Sequence, residues 1–495
     1  MQLLGHRGGR LLAAWSALGA LAALVPALWM WGFTVDDALI AVRYARHLHE
    51  GVGWRFNAHG LSTDGVTPLP WPLVLAPFAG AEALVVLGRA RLLGLVLWVV
   101  TGTALGRSIG RVASPAWARV AALATMALSV PVAAHAVSGM ETALATALAT
   151  GAVLLCERPR AAAVVAGLAA SLRPEMAPWA CVLAIGVSAA AGEEVARWIQ
   201  AAAIAIGPFT VCALIRIAVW GRPAPLAVLA KPSDIEHGLA YAGAACVVTL
   251  VPLLLLAPVA VARQPRALAI VLAALAQVAA IVVVGGDWMP YARLMVPVVP
   301  SLVYAAALVG REAHPAAVAA RSAVAVVVGV VLIARGGTTG RTVGADRTRL
   351  VAAARRWLET DARALSRAST RDASPADGRA LRVAALDVGW VSAATEADII
   401  DLAGLTDPEI AALPGGHTSK RVDARFLLAR APDVLFVYAP LGLPAGGLDA
   451  WQDTTTSRVV EARLVRDEVI GRSFEAAAWL SLGSSGAGYV ALRSR

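Results

Sequence analysis

The sequence predicts a polytopic, all-helical membrane bundle followed by a soluble α/β or α+β domain. Three observations predict it: an apolar share of 58% against 15% charged residues, a succession of long apolar runs through the first two-thirds of the chain, and an abrupt change of composition after Ala334. Soluble domains carry about 25% charged residues. With a mean hydropathy of +0.68, the chain is neither a disordered tail nor an ordinary soluble globule. Its 495 residues have room for one bundle and one further domain.

The first run, residues 11–32, follows a basic start and is as long as the ~20 residues that span a bilayer, so it reads as a retained first helix rather than a cleaved leader. Ten further runs follow, at 90–106, 120–134, 142–156, 161–172, 176–191, 199–220, 238–262, 267–284, 294–310 and 322–334. Residues 70–87 are apolar too, but Pro70, Pro72 and Pro77 frustrate a continuous helix, and this run reads as half-inserted or surface-lying. Leaving it out gives eleven crossings. With the N-terminus in the cytoplasm, the inner loops are more than twice as dense in Lys and Arg as the outer loops, the asymmetry that the positive-inside rule requires.

An odd number of crossings places the rest of the chain outside the cytoplasm. The expected division is a membrane domain over 1–335, a hinge over 336–344 and an extracytoplasmic domain over 345–495. In the last, Leu350, Ala353, Ala354, Leu358 and Leu365 are spaced for an amphipathic helix, and 383–386, 399–402 and 434–437 read as short buried strands. No repeat, Walker A sequence or G-x-G-x-x-G following a strand is present, which argues against a nucleotide-driven pump. The +10 charge balance is almost all arginine, Lys231 and Lys420 being the two lysines among 43 basic residues. It is scattered rather than gathered on one face, so nucleic acid is not expected as a partner. Cys156, Cys181, Cys212 and Cys246 sit in apolar runs without C-x-x-C spacing and read as small core residues.

This topology gathers polar residues on one rim. Asp36 and Asp37 stand where the chain leaves the first helix. Adjacent carboxylates at a membrane surface raise one another's pKa unless a cation compensates, and at the start of a helix over 38–49 they also serve as caps. Further outer loops carry Ser138-Gly139-Met140-Glu141-Thr142, Arg173-Pro174-Glu175, Ala230-Lys231-Pro232, and Gly285-Gly286-Asp287-Trp288 running on to Arg293. Nucleotide sugars are not available on that side, so a transferase working there needs a donor carried in the lipid, such as a polyprenyl phosphate sugar. Its chemistry needs a carboxylate to take the proton of the attacking hydroxyl and cations to hold the departing phosphate. Both are present. The plainer alternatives are interfacial snorkelling for Arg173 and Lys231, a structural ion pair for Asp287 with Arg293, and headgroup anchoring for Trp54, Trp71, Trp179, Trp220 and Trp288. His47, His49 and His135 lack metal-ligand spacing, and a divalent cation at Asp36 and Asp37 stays open.

The stretch Asp36-Asp37-Ala38-Leu39-Ile40 with Arg43-Tyr44-Ala45, then Gly51-Val52-Gly53-Trp54-Arg55-Phe56-Asn57 and Gly65-Val66-Thr67-Pro68-Leu69, resembles the first outer loop of GT-C glycosyltransferases. More narrowly it resembles the terminal β-arabinofuranosyltransferases of the actinobacterial cell wall and their bacterial relatives. The later loops fall in the same order, through Asp387-Val388-Gly389, Ile400-Asp401-Leu402-Ala403-Gly404-Leu405 and Asp407-Pro408. The resemblance implies a GT-C-like multi-pass enzyme of the cytoplasmic membrane, inverting or retaining. It would pass a sugar, arabinofuranose among the candidates, from a polyprenyl phosphate to an outer-face glycan acceptor. By position, Asp36 or Asp37 would be the base. Arg43, Arg173, Lys231 and Arg293 would contact the donor phosphate, and Tyr44, Glu141, Glu175, Asp287 and Trp288 the sugar or acceptor. A rival expectation is a non-catalytic lipid or glycan carrier, which should keep ionisable residues near the bilayer midplane. A third is the same architecture acting on lipid A or protein.

Overall fold

A computed structural model describes residues 2–369, 380–483 and 486–495. Among the described residues, five helices are long and apolar enough to cross a membrane: Gly9–Trp29, Ala83–Arg111, Val195–Trp220, Pro265–Val284 and Pro315–Thr360. Ala116–Ala127 and Val130–Ala136, bent by 58° at their break, make a sixth candidate. Thr142–Leu154, Pro159–Leu172, Pro174–Ala190, Ile235–Val248 and Val296–Val309 are apolar but shorter. Of the eleven expected crossings, five or six are thus matched by helices of spanning length among the described residues. At 1.5 Å per residue a fourteen-residue helix is about 20 Å long, less than a ~30 Å hydrocarbon core.

Prolines set several of the breaks. The run 238–262 is divided into Ile235–Val248, Leu250–Leu253 and Pro258–Arg263, because a proline removes a helical hydrogen bond and clashes with the turn before it. The run 70–87 likewise becomes a short helix Pro70–Leu75, a 3-10 turn Ala76–Phe78 and a fresh start at Ala83. Glycines set the closest packing. Gly102, Gly106 and Gly110 form a ridge against Trp15, Gly19 and Ala23 of the first helix, and a Cβ on Gly106 would lie 2.2 Å from the Trp15 carbonyl oxygen. Small residues at this spacing let two helix backbones approach in a membrane. Trp71 and Trp179, expected as headgroup anchors, are instead fully buried.

The helix that begins at Pro315 continues to Ser369, so residues 336–344, expected as a hinge, are helical. Their glycines serve contact rather than bending: a Cβ on Gly344 would fall 2.0 Å from the Gly32 carbonyl oxygen, and one on Gly337 would meet Trp29. Leu350, Ala354 and Leu358 are buried as the amphipathic spacing predicts, whereas the Leu365 side chain lies outside the described residues. This half of the long helix packs on a C-terminal module, with Trp357 edge-on to Phe436 at 5.9 Å.

The module is built on five strands: β1 (Arg382–Ala385), β2 (Asp398–Asp401), β3 (Val434–Ala439), β4 (Phe474–Ser481) and β5 (Gly488–Ser494), in the order β2-β1-β3-β5-β4. β1 runs parallel to both β2 and β3, with Val383 opposite Ile399 and Val434. β5 is antiparallel to β3 and β4. The three expected strands correspond to β1, β2 and β3. β4 escapes sequence reading because its alanine-rich run lacks the β-branched enrichment that marks strands, and β5 because it carries a single β-branched residue, Val490. The helix Val388–Ala394 connects β1 to β2, and it faces the membrane-associated part.

Candidate functional site

The helix Asp36–His49 follows the first helix after residues 30–35 and meets the module through Asp36, Arg43 and Arg46. Asp36 is spent on that contact. Its carboxylate accepts hydrogen bonds from the backbone N–H of Gly389 and of Trp390, each at 2.8 Å, and from Arg347 Nη1 at 2.9 Å. Burial, helped by neighbouring Asp387 and Asp37, pushes its pKa up to about 6 against the opposing pull of Arg347 and the Gly389 N–H. Asp37 points elsewhere. Its side chain is 25% exposed, with Oδ2 at 3.4 Å from Arg293 Nη1.

Arg43 and Tyr44, expected at the donor phosphate and the sugar, are not in the charged cluster. Arg43 is 1% exposed and donates to the carbonyls of Phe56 (2.6 Å), Ser392 (3.3 Å), Thr395 (2.9 Å) and Ala397 (2.8 Å). Burial lowers its pKa to about 10, which leaves it charged. The Tyr44 hydroxyl is buried against the Thr63 carbonyl (2.9 Å) and Thr63 Oγ1 (2.8 Å), and it accepts from the Gly65 N–H at 3.2 Å. Asn57 joins the same seam. Its Nδ2 donates to the Ile399 carbonyl and its Oδ1 accepts the Ile399 N–H, both at 2.9 Å, so the amide pairs with edge strand β2 as a further strand would. The Thr67 segment is pinned from another side. Arg216, near the end of the Val195–Trp220 helix, donates through Nε to Asp64 Oδ2 at 2.8 Å and through Nη2 to the Thr67 carbonyl at 2.7 Å.

The remaining candidates do converge. Arg293 Nε donates to Asp287 Oδ2 at 2.7 Å, while Asp287 Oδ1 accepts the Trp288 N–H at 2.9 Å. Arg173 Nη1 donates to Glu141 Oε1 at 2.8 Å, and its Nε lies 2.9 Å from Glu175 Oε1. The groups share one field. Burial drives the Asp287 pKa upward, yet Arg293, Lys231 and Arg173 together outweigh it and hold the carboxylate below its ordinary value. Burial lowers the Arg293 pKa, and Asp287, Asp37 and Glu141 reverse that to a net rise. Glu141 Oε2 and Arg173 Nη2 are buried without a hydrogen-bond partner among the described residues, a condition that costs free energy unless something else meets them. The Lys231 ammonium acts on Asp287 and His417 through space and forms neither an ion pair nor a hydrogen bond among the described residues.

The backbone that presents Arg293 is strained. Tyr291 and Ala292 both have positive φ, 61° and 49°, a conformation that side chains other than glycine and asparagine seldom adopt. It is held by the Tyr291 hydroxyl donating to the Gly336 carbonyl at 2.7 Å and by Tyr291 lying edge-on to Phe33 at 5.3 Å. Two such residues in succession beside a charged cluster are the kind of stored strain found at functional sites.

Sequence reading missed the module's share. His417 comes from a glycine-flanked loop and tilts at 57° to the ring of Trp288, 5.8 Å away, while Trp288, 66% exposed, stacks on His237 at 4.2 Å. Burial and Lys231 push the His417 pKa down to about 4 against Asp37, Asp287 and Asp387. Lys420 fixes that loop, donating to the carbonyls of Ala411 (2.7 Å), Leu413 (3.0 Å) and Leu229 (3.3 Å). Behind Asp36, Asp387 accepts from Arg458 at 2.6 Å and from the Tyr489 hydroxyl. A glycine-flanked histidine has no periodicity to mark it. Asp387 stood within a noted motif, but nothing local linked it to Asp36. Among the described residues no group of three or more His, Cys, Asp or Glu side chains is placed to hold a metal ion.

Fold and site together define a membrane protein of several apolar helices with a mixed-sheet module seated over a buried charged cluster. Residues 345–487 match a family described as a domain of unknown function (DUF8728). No curated protein and no solved structure matches the chain.

Proposed function

We propose that the protein is a GT-C-type glycosyltransferase of the cytoplasmic membrane. It would move a sugar, arabinofuranose being the candidate that the family resemblance names, from a polyprenyl phosphate to a cell-envelope glycan on the outer face. The observation that carries this reading is the meeting of a partly exposed carboxylate, Asp37, with Arg293 and Asp287, in a field shared with Arg173, with His417 of the module and with Lys231, whose ammonium has no partner among the described residues. In the proposed step the acceptor hydroxyl gives its proton to Asp37 and its oxygen bonds to the anomeric carbon. The bond from that carbon to the phosphate oxygen breaks, and the lipid phosphate leaves with the electron pair. Lys231, with Arg173 and Arg293, supplies the positive field for the departing phosphate. Asp37 suits the base better than Asp36, because three donors already occupy the Asp36 carboxylate. Eleven traverses, some made by short helices, would put this rim and the module on the outer side. The short helices flanking the site would let a lipid-borne donor enter sideways.

The test is release of polyprenyl phosphate from polyprenyl phosphoarabinofuranose by the purified full-length protein in nanodiscs. Asp37→Asn keeps the shape and removes the base, so turnover should fall by roughly 10²–10⁴-fold with normal insertion. Unchanged turnover in that variant would remove Asp37 from the mechanism. Movement of intact lipid without release would favour the carrier reading.

A further inference from the structure

We infer that the helix Asp36–His49 and the C-terminal module form one mechanical unit, in which Asp36, Arg43 and Asn57 are positioning residues for Asp37. The inference rests on the reading of Asp37 as the reacting base. Asp36 and Arg43 are seven residues apart, two helical turns, and therefore share a face. Between them they grip one short helix from both ends. Asp36 takes the N–H groups of Gly389 and Trp390 at the start of Val388–Ala394, and Arg43 takes the carbonyls of Ser392, Thr395 and Ala397 in and beyond its last turn. Asn57 adds a third anchor on β2 through both of its amide atoms.

The fit leaves no slack. A Cβ placed on Gly389 would lie 2.0 Å from the Asp36 carbonyl oxygen, so the two backbones touch. Asp37 is the next residue, and its carboxylate reaches the other way, toward Arg293. A shift of the module is therefore passed through the Asp36 backbone to the Asp37 side chain. Misplacing a reacting group by about 1 Å can cost on the order of 10²-fold in rate. Motif residues whose polarity suggests substrate contact would then act at one remove, by fixing where the base stands.

The experiment uses full-length protein in nanodiscs and the variants Arg43→Ala, Arg43→Lys and Asn57→Ala. Amide hydrogen exchange over 388–394 reports docking, and carbodiimide labelling of Asp37, read by mass spectrometry, reports its setting. Arg43→Ala should raise exchange by roughly tenfold and shift Asp37 labelling severalfold. Arg43→Lys should recover part of both, and Asn57→Ala should act in the same direction more weakly. With polyprenyl phosphoarabinofuranose as donor, kcat should fall along with the labelling change while KM for the donor holds, since Arg173, Lys231 and Arg293 are untouched. Faster exchange over 388–394 with unaltered Asp37 labelling would overturn the inference, as would variants that change neither signal. If Arg43→Ala does not fold, Asn57→Ala carries the test alone. A wild type that shows the expected coupling in its variants but releases no polyprenyl phosphate would sink the catalytic reading and leave the mechanical unit standing.

Discussion

Two neighbouring carboxylates, identical in sequence terms, have different fates. Asp36 is saturated by donors from Arg347 and from residues some 350 positions away, and Asp37 is left partly open beside Arg293. No local pattern in the sequence contains that distinction, because it is made by a module whose docking face is invisible in one dimension. The same blindness explains Arg43 and Tyr44: polar residues in a loop read as solvent-facing until another part of the chain covers them. Burial of single groups also sets pH behaviour. Glu461, 1% exposed in the module, has its pKa pushed by burial up to about 7, with Arg458 pulling the other way. A carboxyl whose pKa is raised in the folded state favours folding while it stays protonated, and that contribution is lost as pH rises from about 4.5 to about 7. Glu461→Gln should therefore flatten this part of the stability profile. Thermal unfolding of wild type and variant between pH 4 and 8 reads it, and parallel curves would show that Glu461 does not titrate in that window.

Secondary structure elements were legible where the chain punctuates itself. Prolines announced the breaks at 70–87, and the change in composition announced the sheet-bearing region. Length was harder to read, because an apolar run of fourteen residues looks much the same whether it spans a bilayer or packs inside a bundle. β4, rich in alanine, and β5, with Val490 as its one β-branched residue, carried little strand signal. The stretch 336–344 misled for a related reason, since glycine marks flexible chain and tight helix contact alike. The contact between the first helix and Ala83–Arg111 gives a direct check. Gly106→Leu would drive a side chain into the Trp15 backbone, and overpacking of this kind costs about 1–3 kcal/mol or more. A detergent-solubilised variant should unfold several degrees below wild type, whereas Gly9→Leu, with open space around it, should not.

At the scale of the molecule, the helices Thr142–Leu154 and Pro159–Leu172 run side by side, bringing Glu141 and Arg173 together at one end and leaving the exposed Arg158 at the other. The proposed outward-facing rim makes sidedness testable on this layout. In a background with the four native cysteines replaced, Cys at positions 288 and 417 should react with a membrane-impermeant maleimide in intact cells, and Cys at 158 should not. Labelling of 288 and 417 from opposite sides would break the proposed topology. The gathering of these loops into one charged cluster was partly readable from charge asymmetry and from the order of the motifs. The roof over it was not, because His417 and Lys420 lie in a segment without periodicity. The pairing of Asn57 with Ile399 has a practical corollary. An outermost strand normally invites partners through its unmatched amides, and here a side chain from the membrane-proximal loop blunts that tendency. Residues 345–495 produced alone would lose this guard, and the fragment should self-associate through β2 at concentrations where the whole protein stays dispersed.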